Sequence, residues 1–453
     1  MLRYTTMSAE KPLAMRTTAL LSVATLILGL LIGTFAIAPL ALPPTEKVVE
    51  KPVEKVVEKV VEKPVPPLRG EYLIGALLPL TGDLASYGEN SREAIKLAES
   101  EINSFLAKSG ATFTIKVVIE DTQTKPDVAL QKLQSLAAKG VKLYVGPQTS
   151  AEIRQIKSYA DANKLLLVSQ SSTAPDLAIP GDYVFRFCPD DTIQGPIGPR
   201  LAKTLGLTHI IYIWRGDAWG DGLYRASSDE AKKLGLTVIT GPRYAPEKKE
   251  FSAEAKALAD EVQKLVNQGV KPEKIMVEYI AFAEAVPFFV AVADYPVLRQ
   301  VKWFGSDGTA QLSELLAEPK AAEFAVQTKW LNPIFAATSS DKFVKVRDAV
   351  KAKLGREPDS YAYAAYDAVW VLTLALIQAG KYDGEAVRSV LPDVARNYFG
   401  AVGWINLNAA GDLAFADYIL WVVQKREGKY VWVDVGTYSF ATGTFTWKDG
   451  FTP

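Results

Sequence analysis

Hydroxyl side chains gather in two short segments of this chain, Gly146-Pro-Gln-Thr-Ser150 and Ser169-Gln-Ser-Ser-Thr173-Ala-Pro175. Each follows an apolar run that reads as a strand, and a helical pattern lies between them. Small hydroxyls beside exposed backbone N–H groups suit a carboxylate. Elsewhere one acid, Asp307, stands in Gly-Ser-Asp-Gly after another apolar run and could face an ammonium. Tyr87, Trp219 and Tyr361 fall at predicted strand ends or helix starts and could form aromatic walls. Together with Ser150, Ser171 and Thr173 these are the groups needed to clamp a small zwitterion. Each also has a plain structural reading. Ser and Thr after strands cap helices, an Asp among glycines marks a turn, and a Tyr or Trp can simply be packed.

Groups for catalysis are sparse. The one histidine, His209, begins a predicted strand with no Ser or Cys motif beside it. The one cysteine, Cys188, ends the strand Tyr183–Phe187 and reads as a packed small hydrophobe. There is no internal disulfide to make and no zinc-type cluster. No Gly-x-Ser-x-Gly elbow and no phosphate-binding P-loop occurs. The glycines near Gly216 do not spell a dinucleotide fingerprint. Counted from Gly216, the second and third glycine positions hold Ala218 and Asp221; counted from Gly220, the third holds Arg225. A binder rather than an enzyme is expected, with no cofactor. Lys+Arg and Asp+Glu both number 51, so no net field recruits nucleic acid.

The elements that must hold these residues are strands and helices in alternation from Tyr72 onward. Tyr72–Pro79, Phe113–Glu120, Val141–Val145 and Leu165–Val168 read as buried parallel strands, with helices beginning near Ser91, at Pro126 and at Ala151. A second series follows Pro189, with strands at Ile210–Trp214, Thr237–Thr240, Lys274–Tyr279 and Val301–Phe304. Ser360–Ala379 is a long helix, and Val402–Asn406 and Tyr418–Val423 read as strands. The fold class is α/β, with two Rossmann-like lobes.

Ahead of the lobes, no charge occurs from Thr17 to Thr45, and Arg3, Lys11 and Arg16 precede the apolar stretch. Residues 19–42 are expected to form a single transmembrane anchor with 1–18 cytoplasmic. A cleaved signal is the alternative, with Ala36-Ile-Ala38 as its small-x-small site. Residues 43–70 hold a Glu-Lys-Val-Val theme broken by Pro52, Pro64, Pro66 and Pro67, and read as a solvated stalk.

From about Tyr72 to the C-terminus the chain resembles the leucine/isoleucine/valine-binding family, type I solute-binding proteins of ABC importers. The motifs that carry the resemblance are Gly75-Ala-Leu-Leu-Pro79-Leu-Thr-Gly82 with Tyr87-Gly88, Val145-Gly-Pro-Gln-Thr-Ser150, Ser171-Ser-Thr173-Ala-Pro175, Phe185-Arg186 with Gln194-Gly195, Trp219-Gly-Asp-Gly222, Tyr363-Ala-Ala-Tyr366-Asp367-Ala368, and Gly403 to Gly411-Asp412. The resemblance implies that Ser150, Ser171 and Thr173 hold the ligand α-carboxylate, that Asp307 pairs with the α-ammonium, and that Tyr87, Trp219 and Tyr361 line the pocket. It implies three interlobe crossings, near Pro189, Leu331 and Ala416, with lobe I at 71–188 and 331–416 and lobe II at 189–330 and 417–453. It implies a branched-chain or other apolar amino acid as ligand, ABC permease subunits as partners, and a binding domain outside the cell membrane. A small amide, urea or another carboxylate is the alternative ligand, and a sensory ectodomain the alternative role. Three departures stand out. Trp219 replaces a frequent tyrosine, Asp307 replaces the glutamate of leucine binders, and Lys108-Ser-Gly-Ala-Thr replaces a Gly-Gly-Ile turn.

Overall fold

The computed structural model of the chain describes residues 67–448 and 450–453. The expected anchor at 19–42 lies outside the described residues, as does all but the end of the stalk at 43–70.

Five parallel strands form the first sheet: Gly70–Leu78 (β1), Phe113–Asp121 (β2), Leu143–Val145 (β3), Leu166–Ser169 (β4) and Val184–Arg186 (β5), in the order β2-β1-β3-β4-β5. The connecting helices are Ala85–Lys108 (α1), Pro126–Ala138 (α2) and Ser150–Ala162 (α3). Every residue of β3 and β4 is buried, because helices cover both faces of the sheet. The strand order reverses between β1 and β3. Their outgoing loops therefore part toward opposite faces and leave a crevice at the strands' C-terminal ends. One of these loops is the first hydroxyl segment.

A second sheet repeats the plan with His209–Arg215 (β6), Thr237–Tyr244 (β7), Ile275–Ile280 (β8) and Lys302–Phe304 (β9), all parallel, in the order β7-β6-β8-β9. Its helices are Asp191–Gln194 (α4), Ile197–Thr204 (α5), Ala218–Lys233 (α6), Ser252–Asn267 (α7) and Ala285–Val292 (α8). Here the reversal falls between β6 and β8. The loops after those strands lead to Trp219 and Phe282.

The C-terminal third adds a third sheet to the two parallel ones, and the strand expected at Tyr418–Val423 belongs to it. Asn332–Phe335 (β10), Tyr418–Arg426 (β11), Lys429–Ser439 (β12) and Thr444–Trp447 (β13) form a separate antiparallel sheet. Val402–Asn406 is not a strand. Its backbone is drawn into a turn in which Gly400 and Gly403 exchange hydrogen bonds, and the buried Asp367 carboxylate accepts the N–H groups of Ala401 and Val402, both at 2.8 Å. The remaining helices are Ser313–Ala317 (α9), Pro319–Thr328 (α10), Asp341–Leu354 (α11), Ser360–Ala379 (α12) and Gly384–Arg396 (α13). The α12 helix is long and apolar enough to cross a membrane, but it is mostly buried and packs on α1 and α13. Apolar character all round is what a core helix requires. The α1 helix starts at Ala85, earlier than the Ser91 expected, since Ser86 to Asn90 show no apolar period although Tyr87 and Gly88 are buried.

A buried acid sits in β8. The Glu278 carboxyl is 3% exposed and accepts a hydrogen bond from Ser227 at 2.9 Å. Burial pushes its pKa up to about 8 from 4.5. The folded chain then holds a proton that the unfolded chain has released, so this group's contribution to stability is full below about pH 4.5 and is lost as pH rises through about 8. Glu278→Gln is expected to remove that decline and to be the more stable protein at pH 9, by a few kcal/mol. Urea melts of both proteins at pH 5 and pH 9 read the difference; parallel pH profiles would refute it.

Candidate ligand-binding site

The loops leaving the two reversal points face each other. Leu84 and Tyr87 follow β1, Gln148, Thr149 and Ser150 follow β3, and Ser171 follows β4. Trp219 follows β6, Phe282 follows β8, and Asp307 and Gly308 follow β9. With Tyr361 at the start of α12, these side chains line a single cavity, closed down to about 10 Å³, close to room for one water molecule. Six of the seven residues singled out in the sequence are thus brought together: Tyr87, Ser150, Ser171, Trp219, Asp307 and Tyr361. Thr173 lies outside the cavity wall. Its hydroxyl donates instead to Asp191 at 3.0 Å.

The hydroxyl end is set by how α3 begins. Thr149 is the cap: its hydroxyl accepts the Glu152 N–H at 3.2 Å, and the Glu152 carboxylate accepts the Thr149 N–H at 2.8 Å. Ser150, relieved of capping, accepts the Ala174 N–H at 3.1 Å and pairs with the Ser172 hydroxyl at 3.0 Å. Ser171 donates to the backbone carbonyl of Gln148 at 2.9 Å. The two hydroxyl segments are therefore stitched to each other as one surface. Gly146 lets the first hydroxyl loop leave β3 tight against β1, because with φ +90° a Cβ there would lie 2.3 Å from the Leu77 carbonyl oxygen.

The acid end holds more than Asp307. Its carboxylate accepts from the Gln194 amide at 2.7 Å and from the Tyr361 hydroxyl. The same amide lies 3.5 Å from Asp191, a second buried acid. Burial raises the pKa of Asp307 against the opposing hydrogen bonds of Tyr361 and Gln194. Burial, and then the charge of Asp307, push Asp191 well above the ordinary carboxylate range. A cation arriving at this end would relieve both costs. Sequence reading missed Asp191, whose only local signal is its place beside Asp190 just after a strand, because the acid whose charge it feels, Asp307, comes from a distant segment.

One wall is aromatic. Trp219 stacks on Phe282 with ring centroids 4.6 Å apart and 17° between planes, and the Arg215 guanidinium lies 4.3 Å from the Phe282 centroid. Arg215 is fixed by Glu284 and Asp217, each at 2.7 Å. This stack locks the indole's orientation.

Contacts across the cleft hold the two sheets together. The Tyr87 hydroxyl meets the carbonyls of Asp307, at 2.9 Å, and Ala310. Ser86 donates to Glu314 at 2.8 Å, and Asp83 pairs with Lys249 at 2.8 Å and takes the Ala283 N–H on its carbonyl at 3.2 Å. Among the described residues no group of three or more His, Cys, Asp or Glu is placed to hold a metal ion.

Residues 71–425 match the family model for periplasmic binding proteins. The chain is 33% identical over 393 residues to an uncharacterised protein of Methanocaldococcus jannaschii, covering 83% of this chain and 91% of that one. It is 26% identical to a Leu/Ile/Val-binding protein of Rhizobium johnstonii, over 79% and 92% of the two chains. Among solved structures it is similar to a leucine-binding protein of Thermotoga maritima, with TM-score 0.65, 22% identity and coverage of 80% and 97%. It is also similar to a solute-binding protein of an ABC transporter from R. palustris in complex with 4-hydroxybenzoate, with TM-score 0.67, 15% identity and coverage of 82% and 97%.

Proposed function

The chain belongs to the type I periplasmic binding proteins, in the leucine/isoleucine/valine-binding family, and from that premise we propose that it captures a small amino acid, of branched-chain or other apolar kind, and delivers it to an ABC importer. It acts without catalysis: ligand binding shifts the balance between open and closed lobes. We place the lobe crossings near Pro189, Leu331 and Ala416. The observation that carries the reading is the polarity of the cavity, with stitched hydroxyl loops at one end and the buried Asp307 at the other. A zwitterion satisfies both ends at once. A hydroxybenzoate, bound by one relative in fold, leaves Asp307 with no cation to face.

Calorimetry on the purified chain against the common amino acids, urea, short amides and 4-hydroxybenzoate tests this. Stoichiometric heat with leucine, isoleucine or valine is expected; heat with 4-hydroxybenzoate or urea alone would replace the ligand assignment. The apolar stretch at 19–42 supports a membrane anchor, with the binding domain outside the cell. Full-length protein is then expected in the membrane fraction of cells, and recovery in the soluble fraction with a new N-terminus near Pro39 would point to a cleaved signal.

A further inference from the structure

Between the C-terminal sheet and α11 lies a groove that the amino-acid reading leaves unused. It consists of two hollows, of about 340 and 370 Å³, which share Gln311, Glu357, Trp421 and Trp432. Volumes of this size are usual for small-molecule sites, whereas the ligand cavity has closed to about 10 Å³. One wall is a face of the sheet. It carries Ile419 and Trp421 on β11 and Trp432 and Asp434 on β12, since Trp421 stands opposite Asp434 and Val423 opposite Trp432 in the ladder. The facing wall has Phe343 and Arg347 on α11 and Tyr363 on α12.

The aromatic groups are held from behind. Trp432 donates its indole N–H to the Leu312 carbonyl at 2.9 Å, and the Tyr430 hydroxyl donates to Glu323 at 2.9 Å. Phe343 stacks on Tyr363 with ring centroids 4.5 Å apart and 22° between planes. The Trp421 N–H is buried with no acceptor, which leaves a donor unspent on a residue that both hollows share. Charge at the groove is one-sided. Its two acids are already paired, Glu357 with Lys351 at 3.1 Å and Asp434 with Lys448 at 2.6 Å. Arg347 has only its exposed neighbour Asp348, at 2.8 Å. Among the described residues Arg426 reaches only the side-chain oxygen of Gln424, at 3.0 and 3.1 Å.

We infer that this groove is a second binding site, for an aromatic carboxylate of one or two fused rings, and that its occupant acts as an effector of the ligand cavity. The indole and phenol faces take the ring. Arg347 and Arg426 face the carboxylate. The effector role follows from where the walls belong. With the lobe crossings proposed above, α11 and α12 are in lobe I, and Gln311, Trp421 and Trp432 are in lobe II. An occupant that touches both in the closed arrangement favours closure, and so tightens the hold on whatever fills the cavity. The effector role rests on the two-lobe reading of function; the site itself does not.

The test is calorimetry of 2-naphthoate on the full chain, with and without saturating leucine. One equivalent is expected to bind in both cases. Saturating naphthoate is expected to raise leucine affinity about fivefold or more, and leucine to raise naphthoate affinity by the same factor. Trp421→Leu is expected to bind naphthoate about tenfold or more weakly, and the surface double variant Arg347→Gln/Arg426→Gln about threefold or more weakly, with thermal melts confirming that each is folded. No binding of naphthoate, its displacement by leucine, or unchanged affinity in both variants would overturn the site. A leucine affinity that naphthoate leaves unchanged would overturn the effector role. If the wild type binds no amino acid, the amino-acid reading fails, and the two groove variants still decide the site.

Discussion

Asp307→Ala is expected to weaken amino-acid binding by about a hundredfold or more, since taking one partner from a buried ion pair costs about 3–5 kcal/mol. The residue is 4% exposed, and its carboxylate is the acceptor for both Gln194 and Tyr361. Asp307→Asn separates charge from shape. It keeps the size and loses the anion, and is expected to bind as poorly as the alanine variant. Calorimetry with the best amino-acid ligand reads both. A second readout is pH. Because the pKa of Asp307 is raised by burial, lowering the pH protonates it earlier than an exposed carboxyl, and wild-type affinity for an ammonium falls accordingly. In Asp307→Ala that part of the pH dependence is gone. An alanine variant within threefold of wild type would remove Asp307 from the site.

Arg186→Met is expected to cost about 3–5 kcal/mol of folding stability, the largest effect foreseen away from the cavity itself. Arg186 and Asp412 are 0% and 1% exposed, and the guanidinium contacts both carboxylate oxygens, at 2.5 and 2.6 Å. Its remaining nitrogen donates to the carbonyls of Ser172, at 3.1 Å, and Ala174, at 2.8 Å. One side chain thus ties β5 to the Asn408–Asp412 turn and fixes the backbone of the second hydroxyl loop. Methionine leaves Asp412 buried and unpaired. The double variant Arg186→Met/Asp412→Leu removes that stranded charge and is expected to regain much of the stability. It is not expected to regain affinity, because the loop carbonyls still lack their donor. Urea unfolding measures the first effect and ligand titration the second. A single variant within 1 kcal/mol of wild type would show the pair to be dispensable.

The strand–helix alternation was legible because buried parallel strands are short apolar runs, unbroken in β3 and from Tyr72 to Leu78 of β1 and interrupted only by Glu278 in β8. The cavity was legible for a related reason: loops after such strands carry the small polar groups, and topology gathers strand ends at one place. The antiparallel C-terminal sheet had a local signal that went unread. Glu427 and Gly428 both have positive φ, and a Glu-Gly pair between two alternating runs is hairpin chemistry. Val402–Asn406 failed for the opposite reason. Nothing nearby says that Asp367, more than thirty residues upstream, captures its N–H groups. Gln148, Asp191 and Phe282 belong to the same class, since what makes each important is a partner from another element.

The contacts at the rim of the cleft have a kinetic meaning. Asp83 with Lys249, Ser86 with Glu314, and Tyr87 with the Asp307 and Ala310 carbonyls bridge the two sides through protein atoms alone. With the proposed opening and closing of the lobes, an incoming molecule meets them before these bonds form, whereas a departing one waits until all of them break together. They therefore slow escape while leaving the encounter rate untouched, and they do so equally for every occupant. On that proposal, dwell time follows the Asp83–Lys249 and Ser86–Glu314 contacts, which lie outside the cavity wall, and discrimination among ligands follows the side chains that line it.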